Sequence, residues 1–83
     1  MKYFTYVLRS KKDGNLYIGY SENPDRRLVE HNSGKTRSLI KRRPLSMVYK
    51  EEFDNELEAR RRERFLKSGQ GRKILKSILS DGE

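Results

Sequence analysis

Read for hydrophobic and polar positions alone, the chain passes twice from strand to helix. Tyr3 to Arg9 is rich in aromatic and β-branched residues and predicts a strand. Lys11-Lys12-Asp13-Gly14 breaks the pattern, and Asp-Gly is a strong hairpin-turn signal. Asn15 to Tyr20 predicts the return strand. Asn23 followed by Pro24 reads as an N-cap with proline at the first helical position, where its missing N–H costs nothing. This helix runs to about Asn32, packs through Leu28 and Val29, and stops at Ser33-Gly34. Lys35 to Arg43 is basic and irregular, with one apolar pair, Leu39-Ile40, and Pro44 bars its continuation as helix. Leu45 to Lys50 predicts a third strand. Asp54 or Asn55 opens a second helix, and Asn55 with Glu58 would form a capping box. That helix reaches about Ser68 and ends at Gly69. After Gly71, the spacing of Ile74, Leu75, Ile78 and Leu79 predicts a short amphipathic helix against the core. Residues 81–83 are expected to fray. The order ββαβαα gives an α/β (α+β) fold: a small three-stranded antiparallel sheet flanked by helices. No repeat or linker divides it, so residues 1–80 are expected to form one domain.

The hairpin decides where two tyrosines point. With a two-residue loop, Lys12 faces Asn15; with a four-residue loop, Tyr6 faces Gly19 and Tyr17 faces Leu8. Directly opposite residues share a sheet face. Either register therefore sets Tyr6 and Tyr17 on one face. Half-buried sheet aromatics are the ordinary explanation for tyrosines in strands, and Tyr3, Tyr20 and Tyr49 fit it. Gly19 is less ordinary, because a glycine inside a strand marks a bulge or a close backbone approach.

Composition adjusts this picture. The hydrophobic share is 33 % and the charged share 39 %, a balance that leans towards disorder. Five tyrosines, three phenylalanines and the periodic runs argue for a folded domain instead. The formal charge of +8 speaks to partners. Nucleic acid is favoured, through counterion release from phosphates. A membrane partner would need a basic helix with a bulky apolar side, and the helix around Arg60 to Arg64 has only a narrow one. The 83 residues contain no cysteine, which excludes disulfides and thiolate metal sites. No signal peptide or transmembrane-length run is visible, so a cytoplasmic location is expected, and a monomer.

Candidate chemistry concentrates in two places. In "YIGYSENPDRRLVEHN", Arg27 and His31 are four apart and share a helix face. A solvated arginine and a surface histidine near a helix C-terminus account for such a pair equally simply. In "LEARRRERFLK", Glu63 stands among arginines and borders the side holding Ala59 and Leu66. It can pair with Lys67 at i+4, or serve as the single carboxylate of a Mg²⁺ site completed by water and phosphate. Phosphodiester cleavage needs a proton acceptor for water, positive charge at the phosphate and usually a divalent metal. Arg27 could supply the charge, and Tyr6, Tyr17 or His31 the acceptor.

These positions together resemble the GIY-YIG nuclease superfamily, in particular its small single-domain bacterial members of the UPF0213-like group. Tyr17-Ile18-Gly19 stands as the second signature triplet, and Tyr6 takes the tyrosine position of the first. Phe4-Thr5 replace the glycine and isoleucine of that first triplet. Arg27 matches the catalytic arginine, His31 the active-site histidine and Glu63 the metal-binding glutamate. No asparagine follows Glu63, although several superfamily members carry one near the site.

The resemblance implies an endonuclease hydrolysing phosphodiesters in DNA, by structure rather than sequence. Glu63 would hold one Mg²⁺ or Mn²⁺. Tyr6 first, and Tyr17 second, would deprotonate or orient water, with nearby positive charge favouring phenolate. His31 is the alternative base, and Arg27 also stabilises the transition state. Lys35, Arg37, Lys41, Arg42 and Arg43 would track phosphates in one loop. Arg60, Arg61, Arg62 and Arg64 would form a second basic surface. A non-catalytic DNA- or RNA-binding module on the same scaffold is the competing expectation, and an unidentified protein could target either one.

Overall fold

The computed structural model describes residues 1–81. It contains β1 (Tyr3–Ser10), β2 (Leu16–Ser21), α1 (Pro24–Asn32), a 3-10 segment (Arg37–Arg42), β3 (Leu45–Phe53), α2 (Glu56–Lys67) and α3 (Gly69–Asp81). The strands form one antiparallel sheet in the order β2-β1-β3.

The central strand explains the layering. Thr5, Tyr6, Val7 and Leu8 of β1 are all buried, although successive side chains point to opposite faces. Both faces are therefore covered. Tyr6 and Leu8 pack with Leu39 and Leu45, flanked by Tyr17, Leu28 and Met47, under α1 and the 3-10 segment. Val7 and Ile18 pack with Leu66 and Leu75 of the α2–α3 layer. Thr5 joins this second face by donating its hydroxyl to the Ala59 carbonyl at 2.7 Å.

The helix starts follow their caps. The Asn23 side chain accepts the Arg26 N–H, with Pro24 at the first turn. At α2 the cap is Asn55, which accepts the Glu58 N–H at 2.9 Å. Val29, expected in the core with Leu28, is instead 68 % exposed. Ile74 is likewise exposed while Leu75 is buried. A short amphipathic helix on a small sheet buries only a narrow stripe, and Val29 and Ile74 fall on its solvent side.

Three boundaries differ from the expectation. β3 continues through Glu51 and Glu52 to Phe53, because Tyr3–Thr5 of β1 pair with it there. A register irregularity lies in the same pairing: Val7 faces Tyr49 and Leu8 faces Met47. α3 begins at Gly69 rather than after Gly71. Ser68 closes α2 by donating to the Phe65 carbonyl and opens α3 by accepting the Gly71 N–H. A Cβ on Gly71 would lie 1.8 Å from the Phe65 carbonyl oxygen, so the two helices meet backbone to backbone at this corner. Asp81 belongs to α3, and residues 82 and 83 of the expected frayed tail lie outside the described residues.

Candidate active site

The observed hairpin has the four-residue loop, with Tyr6 facing Gly19 and Tyr17 facing Leu8. Tyr6 and Tyr17 consequently share the α1 face, with ring centroids 6.5 Å apart. Gly19 makes this arrangement possible. A Cβ there would lie 2.7 Å from the Tyr6 hydroxyl and 3.3 Å from the Tyr17 ring.

α1 delivers His31 onto the same pair. The Tyr6 hydroxyl lies 3.1 Å from His31 Nε2, and the Tyr17 ring meets the imidazole edge-on at 5.2 Å. The other nitrogen, Nδ1, lies 2.5 Å from the Thr36 hydroxyl. His31 is fully buried, not the surface histidine that its place near the helix end allows. Its pKa falls below the ordinary value, first through burial and then through the Arg27 charge. It is therefore neutral at pH 7, with one nitrogen donating and the other accepting. Both flanking hydroxyls can play either part, so Tyr6–His31–Thr36 forms a continuous chain, buried at Tyr6 and His31 and half-buried at Thr36. Thr36 was not legible in the sequence: it sits in a loop with no periodic pattern and faces His31 only through the fold.

Tyr6 behaves differently from the expected phenolate. Burial and the neighbouring Tyr17 push its pKa up to about 12, and the pull of Arg27 does not offset them. In the free protein Tyr6 is a phenol at neutral pH.

Arg27 lies one turn before His31 and is partly exposed. Its Nη1 bonds Glu30 Oε1 at 2.7 Å, and Arg26 approaches the same carboxylate at 4.0 Å. Arg27 holds the Glu30 carboxyl below its usual range. Glu30 was missed as a site neighbour, although its i+3 spacing from Arg27 signals the pair. Glu63, on α2, borders the stripe of buried Ala59 and Leu66; its side chain is 19 % exposed and lies 3.5 Å from Lys67. Its charge reaches the Tyr6 phenol and contributes to the raised pKa. Tyr6, Tyr17 and His31 are thus in contact, Arg27 acts on Tyr6 and His31, and the charge of Glu63 is felt at Tyr6.

The family model described as the GIY-YIG catalytic domain matches residues 2–75, a span containing all five of these positions. The chain belongs to the GIY-YIG family. A relative from Staphylococcus saprophyticus, the UPF0213 protein SSP2268, is 39 % identical over 82 residues, 98 % of each chain. A UPF0213 protein of Enterococcus faecalis is 45 % identical over 64 residues, 74 % of this chain and 72 % of that one. The solution NMR structure of the UPF0213 protein BH0048 from Bacillus halodurans has a TM-score of 0.57 to this GIY-YIG domain. It is 34 % identical and covers 94 % of this chain and 85 % of its own.

A GIY-YIG domain implies a divalent metal, and the donor set can be tested against one. Among the described residues no three His, Asp or Glu side chains group to cage an ion. Mg²⁺ does not require a cage: it keeps several waters and uses one or two carboxylates with substrate phosphates. Glu63, partly exposed and oxygen-bearing, fits that pattern.

The basic candidates divide sharply in this GIY-YIG domain. Arg62 is committed internally, bonding Glu51 at 2.7 and 3.2 Å and lying over the Phe65 ring. Arg43 donates to the carbonyls of Ile40 and Asn32. Arg42 lies 3.5 Å from Asp13 and donates weakly to the Leu16 carbonyl. These three brace loops and helix ends. Lys35, Arg37, Lys41, Arg60, Arg61 and Arg64 are exposed. No helix among the described residues is long and apolar enough to cross a membrane.

Proposed function

We propose that the chain is a metal-dependent endonuclease that hydrolyses phosphodiesters in DNA, selecting structure rather than sequence. The observation that carries this reading is the Tyr6–His31–Thr36 chain, with its buried histidine, beside Arg27. A binding module has no need of a neutral, buried histidine in contact with a phenol.

The chemistry follows from the protonation states. Tyr6 is a weak acid here and cannot wait as phenolate. It can still accept a proton from water at its oxygen while passing its own to His31 Nε2. This requires the tautomer in which Nδ1–H donates to Thr36 and Nε2 is free to accept. The resulting imidazolium stays bonded to Thr36 and, being fully buried, gives the proton back to the Tyr6 oxygen, which passes one on to the leaving oxygen or to water. Tyr17, edge-on to the imidazole, fixes the ring plane. Arg27 exchanges Glu30 for a phosphate oxygen and stabilises the charge that develops there. Glu63 would hold one Mg²⁺ or Mn²⁺, which when bound supplies Lewis acidity at the scissile phosphate.

One set of contacts favours the second reading, a nucleic-acid-binding module without catalysis: in the free protein Arg27 is paired with Glu30 and Glu63 with Lys67. Nicking of a branched or single-stranded DNA in Mg²⁺ or Mn²⁺ separates the two. The nuclease reading expects cutting that EDTA abolishes and that Tyr6→Phe lowers at least ~100-fold, on the scale of general acid–base catalysis. Tight binding with no cutting of any substrate would establish the module instead.

A further inference from the structure

We propose that the outer face of α2 is a phosphate-binding track, on which Arg60, Arg61 and Arg64 engage the backbone of a DNA strand whose scissile phosphate lies at Glu63. This rests on the reading that the chain acts on nucleic acid. Leu57, Arg60, Arg61 and Arg64 line one hollow of about 270 Å³ on the helix surface. Their spacing, three and four residues apart, puts them on one side of α2. All four are exposed, Leu57 by 54 %.

Among the described residues none of the three arginines makes an ion pair, whereas Arg26, Arg27, Arg42 and Arg62 each do. Like charges at these spacings repel one another by a few tenths of a kcal/mol per pair. Glu56, Glu58 and Glu63 of the same helix stand three or four residues from Arg60 and Arg61, but among the described residues none closes an ion pair with these arginines. A phosphodiester backbone would offset the repulsion, and guanidinium forks suit phosphate oxygens in a bidentate manner. The track meets Glu63 at one edge, because Arg60 lies one turn before it on the same helix. Arg62, which the sequence groups with these arginines, turns to the opposite edge of the helix and belongs to Glu51.

The test is the salt dependence of binding to a 20-base-pair duplex, read by fluorescence anisotropy in EDTA. Three lost phosphate contacts should lower the slope of log K against log salt by about 2.7, at roughly 0.9 per contact. The variant with Arg60, Arg61 and Arg64 all changed to alanine should show that drop and bind at least tenfold more weakly. A second variant, with the exposed α3 residues Arg72, Lys73 and Lys76 changed to alanine, removes the same charge. It should keep the wild-type slope. An unchanged slope in the α2 variant, or an equal fall in the α3 variant, overturns the track. So does a polyglutamate chain that binds wild type as tightly as the duplex and is lost with the α2 arginines; that result assigns the face to an acidic protein. Cleavage in Mg²⁺ is scored separately. A protein that never cuts but shows the predicted slopes defeats the nuclease reading alone, and one that cuts with unchanged slopes defeats the track alone.

Discussion

Gly19 shows how much one missing side chain can decide. Its Cα–H leaves the space that the Tyr6 hydroxyl fills, and any Cβ would have to displace that ring. Gly19→Ala should therefore cost about 1–3 kcal/mol, the range for overpacking a tight interior. It should also break the Tyr6–His31 contact, which urea denaturation and the imidazole NMR signals would report. His31 adds a pH dependence whose sign is fixed by its depressed pKa. The unfolded chain takes up a proton near pH 6.5 that the native state refuses. Stability contributed by neutral His31 is full above pH 6.5 and falls as the pH drops through the folded value. The urea midpoint of the wild type should fall between pH 7.5 and pH 5.5, and His31→Gln should flatten that fall. The depressed carboxylates Asp13, Glu30 and Asp54 act in the same direction, but only at lower pH. At this scale alternation put Tyr6 and Tyr17 on one face and i+4 spacing paired Arg27 with His31, while their candidate roles came from the resemblance to the GIY-YIG superfamily. The sequence could not expose the protonation states, because those depend on burial between layers that no local pattern encodes.

Among the elements, local chemistry was legible and tertiary contacts were not. Asn23-Pro24, Asn55 and Asp13-Gly14 mark their helix starts and turn by hydrogen bonds within a few residues, and these positions stand as read. The extension of β3 past Lys50 depends on pairing with Tyr3–Thr5, some fifty residues away, and charged Glu51 and Glu52 concealed it. The early start of α3 depends on Ser68 serving two helices and on Gly71 touching the Phe65 carbonyl. Gly71→Ala should force that corner apart and cost about 3 kcal/mol, more than Gly→Ala changes usually do in a helix. Thermal denaturation measures it directly. Arg62 gives a contrasting prediction. Its partly exposed bond to Glu51 should be worth about 1 kcal/mol or less. Arg62→Ala should accordingly lower stability slightly and leave the salt dependence of DNA binding unchanged, since the Arg62 guanidinium is already held by Glu51.

For the whole molecule, the net charge of +8 matters less than where it is left unpaired. One helical layer covers each sheet face: Tyr6 and Tyr17 meet His31 under α1 with Arg27 beside them, and the proposed site would add Glu63 from α2. The GIY-YIG family model spans all five positions. The most direct test of the account is single-turnover cleavage of an end-labelled branched DNA in Mn²⁺ or Mg²⁺, comparing wild type with Glu63→Ala and Arg27→Ala. Binding is measured on the same preparations. The account predicts metal-dependent cutting by wild type. It also predicts a fall of about 10²–10³-fold in Arg27→Ala, the loss typical of one donor at a developing charge, and no detectable cutting by Glu63→Ala, with both variants still binding the substrate. Cutting at the wild-type rate by either variant would contradict it.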